Sequence, residues 1–196
     1  MLGITPDSAR RDSLADSVAP AAPAGAPAVT PLAVANPADS LGASPFAVEL
    51  MAANTQAGAI LKLQKDGKSL PAATFSPAVS QGARWFKVVS GAYSNRADAE
   101  SLLVSLKRRN LLRGGESVVR LPFAFLIESV RATAATEMVA LYADRGQPVY
   151  ALRQPDGSTW LLVGAFESVE QAALYVESLR ASGIPPVLVY RKGRSF

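Results

Sequence analysis

The chain has 196 residues, room for one ordinary domain or two small ones, and its 20 Lys and Arg exceed its 16 Asp and Glu by only four charges. That mild excess permits weak attraction to anionic polymers but is not the balance of a dedicated nucleic-acid binder. There is no Cys and no His, which excludes disulfides and thiolate metal sites and removes the commonest general base and metal ligand.

Residues 1–43 are rich in Ala, Pro, Ser and Asp and show no sustained periodicity. The run from Ala19 to Pro27 alternates small residues with Pro, which removes amide donors and favours extended backbone, so a disordered linker is expected over 1–43. A short helix over 10–18 is a weaker expectation within it. No apolar run approaches the ~20 residues of a membrane helix. The first residues lack the apolar core of a signal peptide. The chain is therefore expected either to be cytoplasmic or to begin after an export signal or anchor.

From Phe46 the pattern changes. Phe46, Val48 and Leu50 alternate as in a half-buried strand. Asn54 or Thr55 can cap a helix with the apolar stripe Ala57, Ile60 and Leu61, ending at Gly67. A strand over 72–76 and another from Trp85 follow, the latter with Phe86 and Val88 on one face and Trp85, Lys87 and Val89 on the other. A helix over 96–109 and a strand over 117–120 complete the unit. The pattern then recurs. Phe123, Phe125 and Ile127 take the places of Phe46, Val48 and Leu50, and a helix carrying Ala135, Met138, Val139 and Tyr142 stops at Gly146. Strands over 149–154 and 158–163 flank the turn Pro155-Asp156-Gly157, and a helix over 169–181 opens with the capping box Ser168-x-x-Gln171. A strand over 184–190 precedes the basic tail Arg191-Lys192-Gly193-Arg194.

Gly91-Ala92-Tyr93 becomes Gly164-Ala165-Phe166, and at the same spacing Asn95 falls on Ser168, Leu106 on Leu179 and Asn110 on Gly183. Each unit reads β-α-β-β-α-β. The pattern is satisfied by a four-stranded antiparallel sheet with two helices on one face and the other face open. The expected fold is α+β: linker 1–43, repeat 44–121 and repeat 122–196. Small units of this kind have marginal cores, and without a disulfide they are expected to lean on each other.

The stretches from Val89 to Glu100 and from Val163 to Ala172, a V-x-G-A-[YF] strand-turn followed by a capped helix, resemble the sporulation-related repeat, or SPOR domain. The resemblance covers roughly residues 44–192 as two tandem copies. It implies a noncatalytic domain that binds peptidoglycan, notably glycan strands stripped of stem peptides, in the periplasm or cell envelope and often at the division septum. Family members usually carry an anchor or signal and a low-complexity linker before the domain, and residues 1–43 suit the linker. Both copies depart from the family where Leu50-Met51-Ala52-Ala53 and Ile127-Glu128-Ser129-Val130 replace its V-x-V-G-[SA]-F turn, and Leu161-Leu162-Val163 makes the second open face apolar.

Strand parity assigns Trp85, Lys87, Arg153 and Trp160 to open faces. The two Trp rings could stack on sugars or pack at the contact between copies; the two cations could reach sugar hydroxyls and carboxylates or remain solvated. Glu49 and Glu128, read as equivalent positions of the two first strands, invite comparison with paired glycosidase carboxylates. They lie in separate copies with no supporting motif, so no catalytic residue is assigned. The cluster Lys107-Arg108-Arg109 with Arg113 suits the C-terminal end of a helix dipole. No cofactor or metal is called for. The leading reading is a glycan-binding module. The alternative is an adaptor that binds an envelope or division protein through its sheets. RNA binding is remote, because Trp85–Tyr93 does not match the motif of RNA-recognition sheets.

Overall fold

A computed structural model describes residues 32–112 and 114–195, with the Lys68 side chain left aside. Most of the expected linker, including its 10–18 helix, lies outside the described residues, as does Arg113. Residues 32–196 form one compact unit.

Two α+β repeats follow one another. The first contains β1 (Phe46–Ala53), α1 (Gln56–Asp66), β2 (Thr74–Ser80), β3 (Ala83–Tyr93), α2 (Arg96–Arg108) and β4 (Ser117–Arg120). The second contains β5 (Phe123–Arg131), α3 (Ala132–Asp144), β6 (Val149–Arg153), β7 (Ser158–Phe166), α4 (Val169–Ala181) and β8 (Val187–Tyr190). The sheet orders are β2-β3-β1-β4 and β6-β7-β5-β8, antiparallel throughout.

The repeats coincide down to single hydrogen bonds. Asn95 Oδ1 caps α2 by accepting from Asp98 N at 2.9 Å, and Ser168 Oγ caps α4 by accepting from Gln171 N at 3.2 Å. Asn110 (φ 54°) and Gly183 (φ 72°) end these helices in the left-handed region. Leu111 N then donates back to Leu106 O at 3.2 Å and Ile184 N to Leu179 O at 2.9 Å. Leu106 and Leu179 are both fully buried. One prediction changes in α1. Thr55 is its cap, but Ala59, Ile60 and Leu63 face the core while Leu61 is 66% exposed. Ala53, at the end of β1, and Ala59 belong to the same core cluster, only Asn54 and Thr55 separating β1 from α1.

The glycine turns show why the shared motif needs its residues. At Gly91 (φ 91°) a Cβ would lie 2.5 Å from the Tyr93 ring, and at Gly164 (φ 70°) it would lie 2.4 Å from the Phe166 ring. Each aromatic side chain folds over the glycine two residues before it, so only hydrogen fits. Both turns are β-bulges. Tyr93 and Phe166 pair with Phe46 and Phe123, Ser90 and Val163 pair with Val48 and Phe125, and the Gly-Ala pairs between them have no partner in that ladder.

The unpaired bulge groups join the repeats. Gly164 N donates to Thr74 Oγ1 at 3.0 Å, Ala165 N donates to Ser76 Oγ at 2.7 Å, and the Ser76 hydroxyl donates to Ala165 O. In the other direction Arg191 donates to Gly91 O, and also to Leu121 O at 3.2 Å. Each bulge thus receives side-chain hydrogen bonds from the other repeat, while Gly91 N donates to Pro71 O at 2.7 Å and Gly164 O accepts from the Tyr150 hydroxyl at 3.0 Å within their own repeats. Around these contacts Phe75 of β2 packs edge-on against Tyr175 of α4, 5.9 Å between centroids, so one apolar core runs through both helix layers.

Arg191, expected in a basic tail, is fully buried. Its acceptors are backbone carbonyls, its guanidinium lies 5.7 Å from the centre of the Tyr150 ring, and its Nε has no acceptor among the described residues. Desolvation lowers its pKa and raises that of Tyr150. Guanidinium keeps its proton at neutral pH even so.

The linker expectation is also revised at its end. Residues 32–43 lie along β8, the edge strand. Ala35 N donates to Leu188 O at 2.8 Å, Tyr190 N donates to Asn36 Oδ1 at 2.6 Å, and Lys192 pairs with Asp39 at 2.6 Å. An edge strand offers unpaired backbone groups, and this segment occupies them.

Because one core spans both repeats, they should unfold together. Trp85 reports on the first and Trp160 on the second, so Trp85→Phe and Trp160→Phe proteins should show coincident denaturant midpoints. Arg191→Ala should lower both midpoints, by on the order of 3–5 kcal/mol of stability, since it leaves buried carbonyls unpaired. Two separate transitions would show that the repeats fold independently. Burial also pushes the Tyr175 phenol up to about 12 from 10.0. The folded state thus favours the neutral phenol, and its contribution is complete below pH 10 and lost as pH rises towards 12. The stability of the wild type relative to Tyr175→Phe should fall by about 1.4 kcal/mol per pH unit across that window. A pH-independent difference between the two denaturation curves would contradict this.

Candidate functional site

The outer faces of the two sheets, away from the helices, have the same backbone and opposite character. Across the first, Thr74 stands opposite Val89, Ser76 opposite Lys87 and Ala78 opposite Trp85, with Glu49 and Ser117 paired on the neighbouring strands. Across the second, the matching positions hold Tyr150 opposite Leu162 and Leu152 opposite Trp160, with Leu126 and Val187 in place of Glu49 and Ser117. One face is studded with polar groups; the other is continuously apolar.

That difference decides what stays accessible. On the second sheet Tyr150, Leu152, Leu162, Ala124 and Val189 are buried, with Ala92 of the first repeat seated among them. Trp160 is half-buried against this cluster. On the first sheet Ala165 makes the reciprocal contact, packing with Ala47, Val89 and Leu121, but it covers only one end of the face. A pocket of ≈ 140 Å³ remains beside it. Val89, Val119 and Leu121 give it apolar lining, and Glu49, Ser76 and Lys87 give it polar lining; Arg120 also borders it, but its pairing opposite Phe46 puts its side chain on the helix-side parity. The second repeat contributes Ala165, Glu167 and Gln171.

Lys87 Nζ donates to Glu49 Oε2 at 3.0 Å. Their side chains retain 39% and 19% exposure, so the pair is partly solvated and stays available to a ligand. Gln171 fixes the opposite wall. Its Oε1 accepts from Glu167 N at 2.6 Å and its Nε2 donates to Pro77 O at 3.1 Å, tying the start of α4 to β2. Trp85 lies two residues before Lys87 on the same face of β3, half-buried and just beyond the pocket.

Of the four residues assigned by parity, the sheet therefore places Trp85 and Lys87 side by side. Trp160 lies on the second sheet, at the position equivalent to Lys87 and not to Trp85. Arg153 does not share Trp160's face. Leu152 is the residue opposite Trp160, while Arg153 is opposite Thr159 and falls on the helix-side parity of Ala151 and Leu161. The strand ends one residue sooner than its apolar pattern implied, and Arg153 N and O exchange hydrogen bonds with Arg194 at 2.8 and 3.0 Å. Glu49 and Glu128 are not equivalent either. Glu49 pairs with Val89 on the outer face, whereas a bulge after Leu126 sets Glu128 opposite the core residue Leu161, where it accepts from the Tyr142 hydroxyl at 3.1 Å. Facing opposite layers of different sheets, these carboxylates cannot flank one bond.

The polar face and the first Gly-Ala bulge belong to β1–β4, and this stretch matches a known domain family. Residues 42–120 match the SPOR domain. SPOR domains are peptidoglycan-binding domains associated with the cell envelope. The match spans the first repeat; the second shares the SPOR-matched repeat's strand order, caps and bulge but lies outside the matched residues. No curated protein and no solved structure matches the chain. Sequence reading passed over Glu167 and Gln171. Gln171 had a signal as a helix cap, but no pattern in the chain announces that it faces the other repeat.

Removing the partly exposed Lys87–Glu49 pair should cost little. Lys87→Ala and Trp85→Ala should each fold, with Lys87→Ala changing stability by less than about 1 kcal/mol in equilibrium denaturation. A larger loss would make Lys87 a structural residue.

Proposed function

We propose that the chain is a noncatalytic binding module for the glycan strands of peptidoglycan in the bacterial cell envelope, serving localisation at the division septum. The observation that carries this reading is the outer face of the first sheet. It sets an aromatic ring, Trp85, beside hydrogen-bonding groups of both signs, Glu49 and Lys87, on the stretch that matches the SPOR domain. Flat apolar surface covers sugar rings, and convergent polar groups reach their substituents. The second repeat is a tandem SPOR-like copy whose outer face has turned inward and supports the first. Trp160 and Arg153 are then peripheral to binding.

The apolar face of the second sheet favours no adaptor role while Ala92 and the Arg191 side chain occupy it. An envelope or division protein would have to bind elsewhere.

Purified sacculi, with stem peptides intact or removed, test the reading in a pull-down. Stripped sacculi should retain the protein more strongly. Trp85→Ala and Lys87→Ala should each weaken retention severalfold, and Trp160→Phe should leave it unchanged. Absence of retention on either sacculus would remove the glycan reading; loss confined to the Trp160 variant would move the site to the second sheet.

A further inference from the structure

The two repeats treat their equivalent edge strands differently. β4 pairs only with β1, and β8 only with β5, within their sheets. Leu121 N donates to Pro45 O at 2.6 Å, and Arg191 N donates to Pro122 O at 2.7 Å. In an antiparallel ladder the hydrogen-bonded pairs alternate with unbonded ones. Val118 and Arg120 of β4, like Leu188 and Tyr190 of β8, therefore turn their backbone groups outward. Arg120 and Tyr190 are equivalent, since they stand opposite Phe46 and Phe123. At β8 the outward groups are taken. Leu188 O accepts from Ala35 N, and Tyr190 N and O bond the Asn36 side chain. At β4, among the described residues, the outward groups of Val118 and Arg120 have no partner.

The side chains of β4 select the occupant. Glu116 precedes the strand and the exposed Arg120 ends it, evenly spaced about Val118 and of the same parity. One Glu116 oxygen accepts from Gly114 N at 2.8 Å, and a carboxylate has capacity for further donors. A lone charge on an edge strand repels its own copy. Opposite charges about a centre do the reverse, because a two-fold axis at Val118 sets Glu116 against Arg120 in both halves. The upstream stretch of the same chain suits the edge poorly, since Pro20, Pro23, Pro27 and Pro31 have no amide hydrogen to donate.

We propose that the outer edge of β4 pairs antiparallel with β4 of a second copy, Val118 opposite Val118. Val118 exchanges both backbone hydrogen bonds with its counterpart, and Arg120 meets Glu116 on either side. The strand order of the joined sheet is β2-β3-β1-β4-β4-β1-β3-β2. Pairing along an edge covers neither face of a sheet, so Trp85 and Lys87 of both copies stay open and look the same way. The inference is independent of the glycan reading.

Sedimentation equilibrium of the full chain over a range of concentrations tests it. The wild type should form a dimer. Arg120→Glu sets like charges opposite each other twice and should raise the dissociation constant about tenfold or more. Adding Glu116→Arg to that variant restores opposite charges and should restore the dimer. Val118→Pro deletes an outward N–H that the β1 ladder does not use and should leave a folded monomer, as edge strands tolerate proline. Should that variant fail to fold, the two charge variants carry the test. A wild type that is monomeric at every concentration would overturn the proposal. So would a dimer that Arg120→Glu leaves unchanged, or one that the double variant does not recover. None of these outcomes bears on sacculus retention.

Discussion

The buried guanidinium of Arg191 is the contact on which the arrangement of the two repeats depends. It reaches a carbonyl in the glycine turn of the first repeat, a carbonyl in the connection between repeats and the face of an aromatic ring in the second. A charge taken out of water without a counter-charge is costly. It persists here because several oriented dipoles converge on it, which fixes how far apart and at what angle those three parts can lie. Thr74 and Ser76 perform the complementary task with neutral hydroxyls. β-Bulges free backbone groups from the ladder. In this protein the freed groups are what one repeat uses to recognise the other.

Two copies of one backbone have thereby acquired different work. The positions that carry Glu49, Ser76 and Lys87 in the first copy carry Leu126, Leu152 and Trp160 in the second. Changing these side chains leaves the strand pairing untouched, because they project from the sheet and do not enter its ladder. Their polarity decides only whether the face remains wet. The apolar face gains by burial of Leu152 and Leu162, roughly 1.5–3 kcal/mol for each such side chain, and the polar face is left to meet solvent and ligand.

Much of the fold could be read from local signals. The caps at Asn95 and Ser168, the glycine turns and the period of the apolar residues fixed strand and helix order in both repeats, and they act within a few residues of themselves. Parity also sets Trp85 and Lys87 on one face of β3, opposite Ala78 and Ser76. It misled where a local rule met a distant partner. The bulges after Glu49 and Leu126 shift the face of the next residue, so Glu128 points into the helix layer. Arg153 lies where its strand gives way to pairing with Arg194. Arg191 looked like part of a solvated tail because nothing near it in sequence accepts its hydrogen bonds; its acceptors are 70 and 100 residues away. The pocket was invisible in the same way, being walled by residues from both repeats.

The 100 residues between Gly91 and Arg191 also set an order of events during synthesis. Chains emerge from the ribosome N-terminus first, and non-local contacts must wait for their later partner. The first repeat can form its helices and sheet early, yet its glycine turn stays uncovered until β8 has been made. The same delay applies to the outer face, whose Ala165 wall arrives with β7. An incomplete chain would thus expose Val89, Leu121 and the edge of β2 together. In the completed chain the glycine turn is covered last, once Arg191 has followed β8.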